Sequence, residues 1–232
     1  MNRNALTLSF GLFLSLFSIN AAAQVEQVYG DIVTDEASYL EELNAWMTSA
    51  DARNPRPRMA CVLRSVVNGS DPTTHGIILD FADYANWEAS MDAAYKSKDF
   101  ANMSRRAAAF SKGNSETLYV RVADNGKSWN EGDYIFVMSI DVSADEPFIK
   151  AVKEYMNSSL GKKAPGALRL LDARAGSDSD YIVVFSAPTF VAGNKFLDEH
   201  SGSKDMQDLV AKIGTISKPT SSSIYKVIKV WK

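Results

Sequence analysis

Few side chains in this 232-residue chain could do chemistry on a small molecule, and two histidines head the set. His200 follows Asp198 and Glu199 at the end of a helical pattern. A helix C-terminus and neighbouring acids favour the protonated imidazole, and such a group can pass a proton near neutral pH. His200 is therefore the candidate catalytic residue. His75 follows Thr73-Thr74 at the start of an apolar run and reads as a hairpin residue. Two isolated histidines with no third ligand do not make a zinc centre, so no metal site is expected. A haem needs only one axial His, although the missing C-x-x-C-H run excludes c-type attachment. Cys61, inside Met59-Ala60-Cys61-Val62-Leu63, reads as a small buried hydrophobe. No G-x-S-x-G, H-E-x-x-H, P-loop or G-x-G-x-x-G pattern occurs, which removes support for those mechanisms.

The aromatic supply is larger. Tyr39, Trp46, Tyr84, Trp87, Tyr95, Phe100, Tyr155 and Phe190 fall on predicted helices. Most such residues pack cores, but a wall of them also suits a flat apolar ligand. The basic residues Arg53, Arg56 and Arg58 in one loop, and Lys162 and Lys163 in another, read as solvated charge. Lys and Arg number 25 against 28 Asp and Glu, a net charge of −3 that argues against a nucleic-acid partner.

These residues sit in a pattern that repeats. Tyr39, Leu40, Leu43, Trp46 and Met47 match Phe148, Ile149, Val152, Tyr155 and Met156, each 109 residues later and on one helical face. Gly69-Ser70-Asp71 matches Gly176-Ser177-Asp178, and Ser97-Lys98-Asp99-Phe100 matches Ser203-Lys204-Asp205-Met206. Thr34 and Ser143 stand at matching N-cap positions, Ser143 with Glu146 in capping-box spacing. Each unit reads strand, helix, strand, strand, helix, strand, which is the ferredoxin-like order. The strands are expected near 25–33, 58–67, 75–82 and 117–123, then 134–142, 167–173, 181–187 and 224–231. The second helix of each unit breaks at Ser97 and Ser203. Strands such as Tyr134–Met138 are apolar on both faces, so one sheet must cover the other. The fold class is thus α+β: tandem βαββαβ repeats, 24–128 and 129–232, packed as one barrel within a single chain, a monomeric pseudo-dimer.

The first 23 residues read as an export signal. Arg3 precedes the apolar run Ala5–Phe17, too short to span a bilayer, and Ala21-Ala22-Ala23 supplies an A-x-A site. Cleavage before Gln24, a periplasmic or secreted location and no membrane attachment afterwards are expected.

With the repeat in hand, the chain resembles the dimeric α/β-barrel superfamily with both halves fused, and locally the antibiotic-biosynthesis-monooxygenase-like members. The resemblance rests on the aromatic-bearing helix and Ser-containing break, Trp87 to Ser97-Lys98-Asp99-Phe100 and Phe190 to His200-Ser201-Gly202-Ser203. It implies a small apolar or aromatic molecule as partner, and either a binding or accessory role, cofactor-independent oxygenase chemistry, or haem binding. Comparing the copies, Trp87 stands opposite Gly193, and His200 opposite Ala94. Gly193 would leave space where the first copy carries an indole. The expected site therefore lies in the second half, with His200 handling a proton and Trp87, Tyr95, Phe190 and Gly193 as ligand-binding positions. No cofactor is expected.

Overall fold

The computed structural model describes residues 24–53 and 55–232, so the expected leader lies outside the described residues. The chain runs β1 (Val25–Val33), α1 (Glu36–Met47), β2 (Met59–Val67), β3 (His75–Phe81), α2 (Tyr84–Lys96), α3 (Lys98–Ala107) and β4 (Ser111–Asp124). It then runs β5 (Tyr134–Val142), α4 (Asp145–Met156), β6 (Leu168–Ala175), β7 (Tyr181–Ala187), α5 (Phe190–Ser201), α6 (Lys204–Ile213) and β8 (Ser217–Trp231). The eight strands close into one antiparallel barrel in the order β1-β3-β2-β8-β5-β7-β6-β4. Within each half the order is the same, β4-β1-β3-β2 and β8-β5-β7-β6. The halves meet at two seams, β2 with β8 and β4 with β6. Closure leaves no strand edge to template aggregation.

Strand alternation sorts the side chains into three cores. Met59, Cys61 and Leu63 of β2 turn into the lumen, where they meet Ile135, Ile182, Val184 and Val227 from the second half. Val62, between them, packs outward against Tyr39, Leu43 and Trp46 of α1 and Met103 of α3. In the second half Phe136, Leu168, Leu170 and Phe185 face Phe148, Val152 and Met156 of α4 and Phe196 of α5. Cys61 is fully buried, and burial pushes its thiol pKa up, so it serves as packing.

The helix starts differ from expectation. Asp35, not Thr34, caps α1 by accepting from the Ser38 amide at 3.1 Å. Ala144 occupies the cap position of α4 with no side-chain bond. The Thr34 and Ser143 hydroxyls instead donate to the Phe110 and Ile216 carbonyls, tying each helix start to the strand that returns beside it. The breaks at Ser97 and Ser203 are real, and each serine caps the next helix, through the Phe100 and Met206 amides. β4 and β8 begin earlier than expected, at Ser111 and Ser217. Their polar leading segments carry no strand pattern; pairing of Val33 with Ser111 and of Val142 with Ser217 extends them. No described helix is long and apolar enough to cross a membrane.

Candidate functional site

A cleft of about 390 Å³ opens in the first half, between the outer face of β1 and β3 and the helices α1, α2 and α3. Its size is that of a small-molecule site. Leu43 and Trp46 of α1, Met91 of α2, and Phe100 and Met103 of α3 form apolar walls. Trp46 and Phe100 meet edge to face at 5.3 Å, and Tyr95 meets Phe100 at 6.1 Å, so aromatic edges and faces line the opening.

The polar equipment is sparse and concentrated. Asp31, on the outer face of β1, accepts from the Tyr39 hydroxyl at 2.5 Å. Burial pushes the Tyr39 and Tyr29 hydroxyl pKa values up, with the nearby carboxylates Asp31 and Glu116 adding to it, so both phenols stay protonated donors at neutral pH. The Tyr29 hydroxyl donates weakly to Met91 Sδ at 3.7 Å. Ser90, on α2, lines the cleft with a buried Oγ that has no hydrogen-bond partner among the described residues. Besides Asp51, whose carboxylate accepts from the Ser97 hydroxyl at 2.6 Å, the arrangement offers the Asp31 carboxylate and the unengaged Ser90 hydroxyl in a largely apolar space. A molecule with a flat apolar body and a single polar group would satisfy both.

The cleft exists here because of two small residues. Ser90 and Ala94 lie one turn apart on α2; 106 residues later stand Phe196 and His200 on α5. There the same region is solid. Phe136 stacks on Phe185 at 4.5 Å, Phe185 meets Phe196 at 5.3 Å, and Phe196 lies 3.6 Å from the His200 ring. The expectation of space at Gly193 is corrected accordingly. A Cβ at Gly193 would collide with the Phe136 ring. In the first half Gln27 replaces Phe136 and holds the Trp87 indole by a hydrogen bond from Nε1. The two halves thus carry a compensated swap, Trp87 over Gln27 against Gly193 over Phe136.

His200 also differs from its expected state. It stands at the end of α5 but is only 2% exposed. Nδ1 bonds the Phe196 carbonyl at 2.5 Å, and Nε2 is buried with no hydrogen-bond partner among the described residues. Desolvation lowers its pKa below the ordinary 6.5 and outweighs the Phe196 carbonyl, Glu199, Asp205 and the Leu160 backbone, which pull the other way. Of the remaining expected residues, Tyr95 reaches the first-half cleft. Phe190 covers Tyr134 and Phe136 in the second half. Expected positions are thus split between two halves. Asp31, Tyr39 and Ser90 were missed as a site; the signal was available in the small pair Ser90 and Ala94 opposite Phe196 and His200.

His75 is 5% exposed. It lies between Glu36, 2.8 Å from Nε2, and Thr74, 3.0 Å from Nδ1. Arg64 pairs with the same Glu36, and together these neighbours hold its carboxyl below the usual range. This cluster pins α1 to β3.

Chains of known structure share this architecture. A candidate monooxygenase from Fusobacterium nucleatum superposes with a TM-score of 0.64 at 14% identity, over 90% of this chain and 94% of that one. An anthrone oxidase-like protein gives 0.56 at 11%, over 91% and 93%. A haem-binding protein from Thermus thermophilus gives 0.55 at 7%, over 89% and 92%. The fold is that of the dimeric α/β barrels. No protein-family profile and no curated protein sequence matches the chain. At these identities the likeness establishes the fold alone.

A haem does not fit the histidines present. His200 Nε2 is enclosed by the aromatic stack, and His75 has both nitrogens engaged. No group of three or more His, Cys, Asp or Glu among the described residues could hold a metal ion.

Proposed function

We propose that this α/β barrel, a tandem duplication within one chain, binds a small, flat, largely apolar molecule carrying one hydroxyl or enol group in the first-half cleft. The observation that carries this reading is the Ser90 and Ala94 gap, walled by aromatic and Met side chains and ending at the Asp31–Tyr39 pair. The molecule's apolar body replaces water against Leu43, Trp46 and Met91, and its polar group meets Asp31 or Ser90. The residues before Gln24 are proposed to export the chain; mass spectrometry of the natural protein should find an N-terminus at Gln24, and one at Met1 overturns export.

The Asp31–Tyr39 pair favours a second reading, cofactor-independent oxygenation. Asp31 would take a proton from an activated methylene. The resulting carbanion would pass its electrons to dioxygen, and loss of water would leave a carbonyl, so that CH2 and O2 give C=O and H2O. A positioned base of this kind is worth about 10²–10⁴ in rate.

Titration of Trp46 fluorescence with 2-naphthol tests the first reading, and oxygen uptake with anthrone tests the second. Saturable binding that Ala94→Phe weakens at least about tenfold, by filling the cleft, supports the site. Absence of saturable binding overturns it. Anthrone-dependent oxygen uptake lost in Asp31→Asn, with naphthol binding kept, supports oxygenation; no uptake above the buffer rate leaves binding as the function.

A further inference from the structure

The barrel lumen is not fully packed. A second cavity of about 490 Å³ runs inside it, distinct from the cleft under the helices. One end is rimmed by the β2–β3 connection and by hydroxyl side chains, among them Thr73, Ser115, Ser139 and Ser221. The middle is apolar, with Leu63, Ile78, Ile135, Leu171, Ile182 and Val184. Glu26 lies four residues before Gly30 on β1, about 13 Å deeper at ~3.3 Å per strand residue.

Two buried polar atoms at this lining have no hydrogen-bond partner among the described residues, Glu26 Oε2 and Trp129 Nε1. Both residues are held by Arg169. Its Nη1 lies 2.9 Å from Glu26 Oε1, and its guanidinium carbon stands 3.9 Å over the Trp129 ring. Arg121 adds a second cation, its Nε 2.9 Å from the same Oε1, and also pairs with Asp80 at 2.6 Å. Glu26 is 0% and Trp129 1% exposed. Arg169 Nε also has no hydrogen-bond partner among the described residues, but Arg169 lines the separate cleft shared with Arg58 and Lys127, not the lumen.

The charge balance selects the ligand. Two arginines already neutralise Glu26 through Oε1, so an ammonium group is not called for, and the remaining carboxylate oxygen repels an anion. An acceptor, Glu26 Oε2, and a donor, Trp129 Nε1, are left on one Arg169 platform. A hydroxyl group is both donor and acceptor, so it can donate to Glu26 Oε2 or accept from Trp129 Nε1. We propose that the lumen is a second binding site, for a narrow, neutral, apolar molecule that ends in a hydroxyl group, inserted hydroxyl-first past the serine-rich rim. The proposal rests on different residues from those of the helix-covered cleft and stands or falls apart from it.

The four tryptophans make the sites separately readable. Trp46 lines the cleft and Trp129 the lumen. The full chain labelled with 5-fluorotryptophan gives fluorine resonances assigned by Trp46→Phe, Trp87→Phe and Trp231→Phe; the one that survives in all three belongs to Trp129. With 1-octanol as probe, the Trp129 resonance should move saturably. 1-Chlorooctane, the same chain without the hydroxyl, should bind at least about tenfold more weakly. Val137→Phe, which fills the lumen from β5, should abolish the Trp129 response and leave the Trp46 response to 2-naphthol intact. An unmoved Trp129 resonance overturns the site, with water serving the two polar atoms. Equal affinity for the two probes overturns the hydroxyl recognition. These comparisons on the unsubstituted chain decide the matter even if Val137→Phe does not fold. A Trp46 resonance silent toward 2-naphthol counts against the cleft alone.

Discussion

His200 shows how burial reverses what local sequence suggests. Its helix end and its neighbours Glu199 and Asp205 favour the imidazolium, yet desolvation lowers the pKa from 6.5. The folded state therefore binds this proton less readily than the unfolded chain. Stability from the neutral ring is fully present above about pH 6.5 and falls as pH drops through 6.5 toward the lower folded value. Denaturant melts between pH 7 and 5 should show this loss, and His200→Leu should flatten it. A profile in that window unchanged by the substitution would mean that the ring is not desolvated. The carboxylates held low, such as Glu36 and Asp205, lose their contributions only at more acid pH, so the two effects separate.

The two serine breaks act at the level of the elements. Ser203 accepts from the Met206 amide at 3.1 Å and donates to the His200 carbonyl at 2.8 Å, closing α5 and opening α6 with one hydroxyl. Ser203→Ala should cost about 1 kcal/mol or more, the usual magnitude for an N-cap. Ser143 makes only a 3.3 Å bond to the Ile216 carbonyl at an exposed position. Ser143→Ala should therefore cost less than Ser203→Ala, and thermal melts of the two variants check the order. The reverse order would restore Ser143 as the cap of α4. The capping-box spacing of Ser143 and Glu146 misled because a cap is decided by where the chain turns into the helix, and here the turn comes one residue later.

The barrel is a joint product of both halves. Met59, Cys61 and Leu63 share the lumen core with Ile182 and Val184 of β7 and with Val227 of the adjacent β8, and the seams β2–β8 and β4–β6 supply backbone partners that neither half has alone. A chain ending at Lys127, or one starting at Asn130, would expose that lumen face and two strand edges to water. Neither piece should give a soluble monomer with a cooperative melt, and mixing them should restore helical and sheet signal together. Two independently melting monomeric halves would show that the lumen core is dispensable.

Much of this was legible in the sequence by itself. The period-two and period-3.6 patterns located all eight strands and the helix breaks, with β1, β5 and β7 matching to the residue, because apolar alternation along one element is a local property. The polar leads of β4 and β8 escaped because only a paired neighbour makes them strand. The cleft escaped for a related reason. Gly193 read as empty space, since a sequence shows which atoms a residue lacks and not which neighbour fills the gap. Phe136 fills it from strand β5, while Ser90 and Ala94 open a gap that no neighbour fills. Volume in a packed interior belongs to the contacting set of residues, and that set is assembled only when α2 and α5 lie down on their sheets.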